Sequence, residues 1–155
     1  MKKLGYTMIT VAAVVGMMLM FSAKGMAATI PTGEFAGITI EKGHVKNITY
    51  ETGGVGIEER AAMQNSVKHY DLRLIFATRK GWYLASVPVQ IKTPDGKILL
   101  RKKSNGPWFW VKLSEGQYEV VASYGNRKEV HKVDVGKASQ SVEFTWKNNP
   151  MVSKG

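Results

Sequence analysis

Val87-Pro88-Val89-Gln90-Ile91-Lys92-Thr93-Pro94-Asp95-Gly96-Lys97 is the segment on which the reading of this chain turns. Val87, Val89 and Ile91 recur at every second position, and on an extended backbone alternate side chains point to opposite faces. Pro94-Asp95-Gly96 then supplies a turn with a mechanism: Pro presets φ and Gly accepts positive φ. Ile98 to Arg101 runs back from it. A half-buried strand, a tight turn and a returning strand predict an antiparallel hairpin.

The pattern repeats in both directions. Upstream, Leu72, Leu74 and Phe76 alternate with Arg73, Ile75 and Ala77, and Thr78-Arg79-Lys80-Gly81 turns the chain. Downstream, Ser104-Asn105-Gly106-Pro107 precedes a strand from Trp108 to Leu113, and Ser114-Glu115-Gly116 leads into Tyr118, Val120 and Ala122. Gly125-Asn126 is a hairpin signal before Lys128 to Val135, and Val142, Phe144 and Trp146 share one face of a last strand. About seven short strands at roughly 8–12-residue spacing predict an all-β antiparallel sandwich, with a closed barrel as the competing architecture.

Ahead of these strands the character changes. Residues 53–70 hold a Gly-rich break, Gly53-Gly54-Val55-Gly56, and one helix candidate from Ile57 to Val67. Glu58 and Glu59 fall in its first turn, where the positive end of the helix dipole favours them. Ile57, Ala61, Met63 or Gln64, and Val67 form a rough helical stripe, and so short a helix has to be held by packing. Residues 28–52 are polar and dotted with glycine, with strand-like stretches at Gly37 to Glu41 and Val45 to Tyr50. They are expected to form an extended arm that pairs onto a sheet edge. The sandwich proper is expected over 71–147, with 148–155 as a tail.

The N-terminus carries an address. Lys2 and Lys3 precede the uncharged apolar run Met8 to Phe21, and Gly25 and Ala27 suit a cut before Ala28. Charge, short apolar stretch and small-residue exit are the parts of a secretory signal peptide, here residues 1–27. A membrane-spanning helix wants about 20 apolar residues, more than this run provides before Lys24. The expected product is a bacterial protein of the periplasm or exterior, with no transmembrane segment after cleavage. The sequence has no cysteine, so the domain must rely on its core rather than on disulfides. With 22 basic and 12 acidic residues the chain is at +10, and removing Lys2, Lys3 and Lys24 with the leader leaves +7. Outside the cell that excess favours an anionic envelope polymer, a phospholipid headgroup or an acidic protein over DNA.

Two segments in order, Val87 to Lys97 and Leu113-Ser114-Glu115-Gly116-Gln117-Tyr118-Glu119-Val120, are similar to the carboxypeptidase regulatory-like domain. In that family a strand of form x-V-x-V-x-I runs into a D-G turn, and an L-x-x-G-x-Y-x-V segment follows. The resemblance covers residues 71–146, and Gly53 to Arg60 resembles the start of small exported bacterial proteins with this domain. It implies a transthyretin-like, immunoglobulin-like β-sandwich that acts as an assembly, stability or ligand-presenting module. The family name implies no peptidase activity. A related hydrolase of the transthyretin-like fold needs a His/Arg site and a Tyr-Arg-Gly-Ser ending, whereas this chain ends Asn148-Asn149-Pro150-Met151-Val152-Ser153-Lys154-Gly155. Fold of itself assigns no function.

No catalytic pattern stands out. His44, His69 and His131 are scattered, without the spacing of a zinc motif, and a zinc site needs three or four converging ligands. There is no G-x-S-x-G elbow, and Gly136-Lys137-Ala138-Ser139 lacks the upstream glycine of a phosphate loop. The expectation is therefore no enzyme, no metal and no cofactor. A small hydrolase or metal-binding protein using His44, His69 and His131 is the alternative. Two features suit a partner. Trp108 and Trp110 fall on one face of a strand and Phe109 on the other, giving either core or a stacking platform that Trp82-Tyr83 would extend. Arg101-Lys102-Lys103 lies near the same turn, as a solvated hairpin tip or as an anion-binding patch. Arg101, Lys102, Lys103, Trp108 and Trp110 are the expected partner-binding residues of a non-catalytic module of the cell envelope.

Overall fold

The computed structural model describes residues 40–147. In chain order these form β1 (Glu41–Val45), β2 (Ile48–Gly53), α1 (Ile57–Ser66), a 3₁₀ turn (Val67–His69), β3 (Leu72–Thr78), β4 (Pro88–Lys92), β5 (Ile98–Lys103), β6 (Trp108–Lys112), β7 (Gly116–Tyr124), β8 (Arg127–Val135) and β9 (Gln140–Trp146). The strands make two sheets, a five-stranded one ordered β1-β2-β6-β3-β9 and a four-stranded one ordered β5-β4-β7-β8. The protein is a β-sandwich rather than a barrel. Between the sheets lie Leu72, Leu74, Phe76, Val87, Val89, Ile91, Leu100, Phe109, Val111, Val120, Phe144 and Trp146, all buried in one cluster. These are the alternate residues of the strands that the period-two pattern marks, so burial of one face explains both pattern and register.

The turns follow the local chemistry. At Pro94-Asp95-Gly96 the Gly96 N–H donates to the Thr93 carbonyl at 2.9 Å and Gly96 takes φ +89°. Gly125-Asn126 is the two-residue loop between β7 and β8, with Tyr124 opposite Arg127. Gly106 is required for a different reason: a Cβ there would stand 2.2 Å from the Gly53 carbonyl oxygen, so only glycine lets the turn before β6 approach the end of β2.

Four features depart from the sequence reading. Nine strands form among the described residues rather than about seven, because residues 41–53 supply two of them. β2 pairs with β6, Thr49 opposite Lys112 through Gly53 opposite Trp108, so residues 41–53 extend the five-stranded sheet beside β6. Residues 1–39 and 148–155, hence the leader, the strand stretch at 37–39 and the tail, lie outside the described residues. The second departure is β9, which pairs with β3 in parallel, Leu72 opposite Gln140 through Thr78 opposite Trp146. A parallel partner needs a long crossover, and here four strands in the other sheet and one in its own intervene. Third, Arg101-Lys102-Lys103 belongs to the β5 ladder and not to a hairpin tip.

The fourth departure is the face that α1 buries. Ile57, first in the expected stripe, is exposed, while Glu59 and Met63 are buried. The cause is the Gly-rich break. Glu59 Oε2 accepts the N–H groups of Gly54 and Val55 at 2.9 and 3.0 Å, satisfying donors that would otherwise be stranded beside the helix start. With Glu59 turned inward, Met63 one turn later follows it and Ile57 is rotated outward.

Candidate partner-binding surfaces

Strand β6 places Trp108 and Trp110 on the outer face of the five-stranded sheet and sends Phe109 into the sandwich, where it stacks on Tyr50 with ring centroids 5.5 Å apart. The two indoles stack on each other at 5.5 Å and 19°. They do not form an open platform. Met63 of α1 and Tyr70 close over Trp110 to make a second small core, with Ile40, Val67 and the half-buried Trp108 packed at its margin. Glu51 pins this cover from below. It sits opposite Trp110 on β2, fully buried, and its Oε2 accepts from the Ser66 hydroxyl at the end of α1 at 2.7 Å. Lys42 on β1 brings its ammonium within 3.4 Å of the other oxygen. The pKa of the Tyr70 hydroxyl is raised, first by burial and then by the Glu51 carboxylate. A buried carboxylate persists only when paired and hydrogen-bonded, and here those partners tie helix to sheet.

On β5 the alternation separates the three cations. Lys102 shares the inward face with Leu100, at the seam where β5 of one sheet meets β1 of the other. Its Nζ lies 3.1 Å from Glu41 Oε1 and 5.1 Å from the centre of the Tyr50 ring. The Tyr50 hydroxyl donates to the same oxygen. That hydrogen bond, followed by the one from Lys102, holds the Glu41 carboxyl below its ordinary value. Lys102 is raised in turn by hydrogen bonding to Tyr50 and Glu41. This triad latches the open side of the sandwich. Arg101 and Lys103 instead stand exposed on the outer face of the four-stranded sheet. The five residues expected to form one site therefore occupy three places: Trp108 and Trp110 under the helix, Lys102 in the seam, and Arg101 with Lys103 on the opposite face.

That opposite face has a character of its own. One row across it is Arg101, Gln90, Val121 and Val130; another is Ile98, Lys92, Glu119 and Lys132. Lys103 lies opposite Pro88, and Lys128 opposite Ser123. Lys92 is matched by Glu119 at 3.3 Å. Arg101, Lys103, Lys128 and Lys132 are exposed, and α1 and the 3₁₀ turn lie on the other sheet. The basic character continues at one end of the sandwich, where Lys46, Lys97 and Lys112 line a cavity of about 270 Å³ with Asn47, Ser114 and Tyr118. Lys128 and Lys132 were legible as partners of Arg101: Gly125-Asn126 sets the β8 register, and alternation then puts Lys128, Val130 and Lys132 on one face.

The histidines are spread through the fold. His44 is on β1, where its Nδ1 lies 2.9 Å from the Thr49 hydroxyl; His69 is in the 3₁₀ turn; His131 on β8 meets the Phe144 ring edge-on at 4.5 Å. Among the described residues no three His, Cys, Asp or Glu side chains gather as a metal site would need, and no helix is long and apolar enough to cross a membrane. In comparisons with known proteins, no family model matches the chain and no curated protein matches it in sequence.

Proposed function

We propose that this chain is a non-catalytic, exported β-sandwich that binds an anionic polymer of the bacterial cell envelope through the outer face of its four-stranded sheet. The observation that carries the reading is the asymmetry of the two outer faces. One is covered by α1 over Trp110, and the other presents Arg101, Lys103, Lys128 and Lys132 to solvent with Lys92 already neutralised by Glu119. A flat sheet face with an excess of one charge attracts a polyanion along its length, and the attraction weakens with salt. The signal-peptide pattern at residues 1–27 supports the compartment, and the resemblance of residues 71–146 to the carboxypeptidase regulatory-like domain supports a binding module rather than a catalyst.

The test is retention of the chain from Ala28 onward on an immobilised anionic polysaccharide, with elution by salt. Wild type is expected to be retained. Arg101→Glu/Lys103→Glu is expected to elute at clearly lower salt with an unchanged thermal midpoint, because both side chains are exposed. Equal retention of that variant, or no retention of wild type, removes the proposal.

A further inference from the structure

Six large hydrophobic side chains are exposed among the described residues, and four of them gather at one end of the sandwich. Val55 is 60 % exposed, Ile57 74 %, Trp82 69 % and Tyr83 56 %. Arg60 is the hub that brings the two chain segments together. Its Nη1 donates to the carbonyls of Gly54 and Val55 at 3.0 and 3.1 Å, and its guanidinium stands 5.8 Å from the centre of the Tyr83 ring. The aromatics are not on a loose loop. The Thr78 N–H donates to the Trp82 carbonyl at 2.8 Å and the Trp82 N–H returns to the Thr78 hydroxyl at 3.2 Å, so the turn that holds them out is built. Arg79 and Lys80 form the tip of that turn, exposed, and Glu58 is the exposed carboxylate on the neighbouring first turn of α1.

We infer that this end of the molecule docks on an anionic phospholipid surface. Trp and Tyr combine an apolar body with a polar tip and settle at membrane–water interfaces, while long cationic side chains beside them reach anionic headgroups. Val55 and Ile57 supply the aliphatic part of the same face, and an apolar patch held in solvent by a built turn marks an interaction surface. Charge points to the same occupant: Arg79 and Lys80 at the exposed tip outnumber the single exposed carboxylate beside them, Glu58, which suits a layer of anionic headgroups. The surface is distinct from the basic sheet face, and the inference rests only on the export part of the reading above.

The chain from Ala28 onward contains both core clusters and is the form to use. It is mixed with vesicles of phosphatidylcholine alone and with vesicles rich in phosphatidylglycerol, and binding is read by co-sedimentation. Wild type is expected to favour the anionic vesicles, with Trp82→Ser/Tyr83→Ser weakened at least about tenfold and Arg79→Glu/Lys80→Glu weakened as well. Indole emission is expected to shift blue on binding and to be quenched by brominated acyl chains, and to lose both responses in Trp82→Phe. Absence of wild-type binding to anionic vesicles, equal binding to both vesicle types, or undiminished binding by Trp82→Ser/Tyr83→Ser overturns the inference. Loss of vesicle binding in Arg101→Glu/Lys103→Glu with the Trp82/Tyr83 variant intact overturns it in favour of the sheet face. Retention of polysaccharide binding by the Trp82/Tyr83 variant keeps the two surfaces separate.

Discussion

Lys102 and its neighbours Arg101 and Lys103 carry the same charge in one short run, yet they do different things. Lys102 is anchored to Glu41 and Tyr50 across the seam, while the two flanking cations face solvent. Lys102→Glu sets two carboxylates against each other there, and its thermal midpoint is expected to fall by several degrees, where Arg101→Glu leaves it unchanged. The pH dependence of Glu41 has a definite sign. Its carboxyl is held below the ordinary value, first by the Tyr50 hydrogen bond, so its contribution is present above the unfolded-state pKa and is lost as pH falls through the folded one. The gap in thermal midpoint between wild type and Glu41→Gln should therefore close in acid. Tyr70 runs the other way. Burial and then Glu51 raise it, so its stabilisation is complete below the unfolded tyrosine value of about 10 and fades as pH climbs beyond it. Tyr70→Phe is expected to cost about 1–3 kcal/mol at neutral pH, with a deficit that narrows in alkali, read by urea melts. The inward turn of Lys102 was legible, since it lies two residues after Leu100. Its pairing with Glu41 was not, because nothing local brings residue 41 to residue 102.

At the scale of elements, the second core beneath α1 decides whether the helix stays in place. Trp110→Ala removes the largest buried side chain of that cluster and should cost about 3–5 kcal/mol, with loss of helical signal preceding loss of strand signal on heating. Gly106→Ala tests the turn before β6: with backbone oxygen 2.2 Å from the new methyl, relief requires the end of β2 to move, at about 1–3 kcal/mol or more. β3, β4, β7 and β9 could be read from alternation, because their inward faces carry the central cluster and period two records that burial; β6, with α1 over its outer side, is apolar on both faces. β1 escaped the same reading. Glu41-Lys42-Gly43-His44-Val45 is an edge strand with few apolar residues, and its place comes from pairing with β2. The helix was legible as a helix but not in its rotation, since Glu59 serves the Gly54 and Val55 amides and overrides the apolar stripe. The candidate partner residues scattered for a related reason: closeness along a chain says little in a sandwich, where neighbouring residues on one strand belong to opposite faces.

Across the whole molecule, the two proposed binding surfaces stand on different parts of the sandwich. The basic face should show binding that weakens steeply with ionic strength. The Trp82–Tyr83 end, where apolar area contributes, should keep part of its affinity in salt. Vesicle and polysaccharide binding measured across a salt series separates the two. The parallel pairing of β3 with β9 has a consequence for how such a protein comes into being. Phe144 and Trp146, which complete the central cluster, lie in the last strand, and the strand they dock against is among the earlier ones made. A chain emerging N-terminus first holds Leu72, Leu74 and Phe76 without their final neighbours until its closing segment arrives. Maturation is thus timed by the arrival of the C-terminal strand. A chain cut short before Gln140 would leave an unfinished hydrophobic edge for quality-control proteases to recognise.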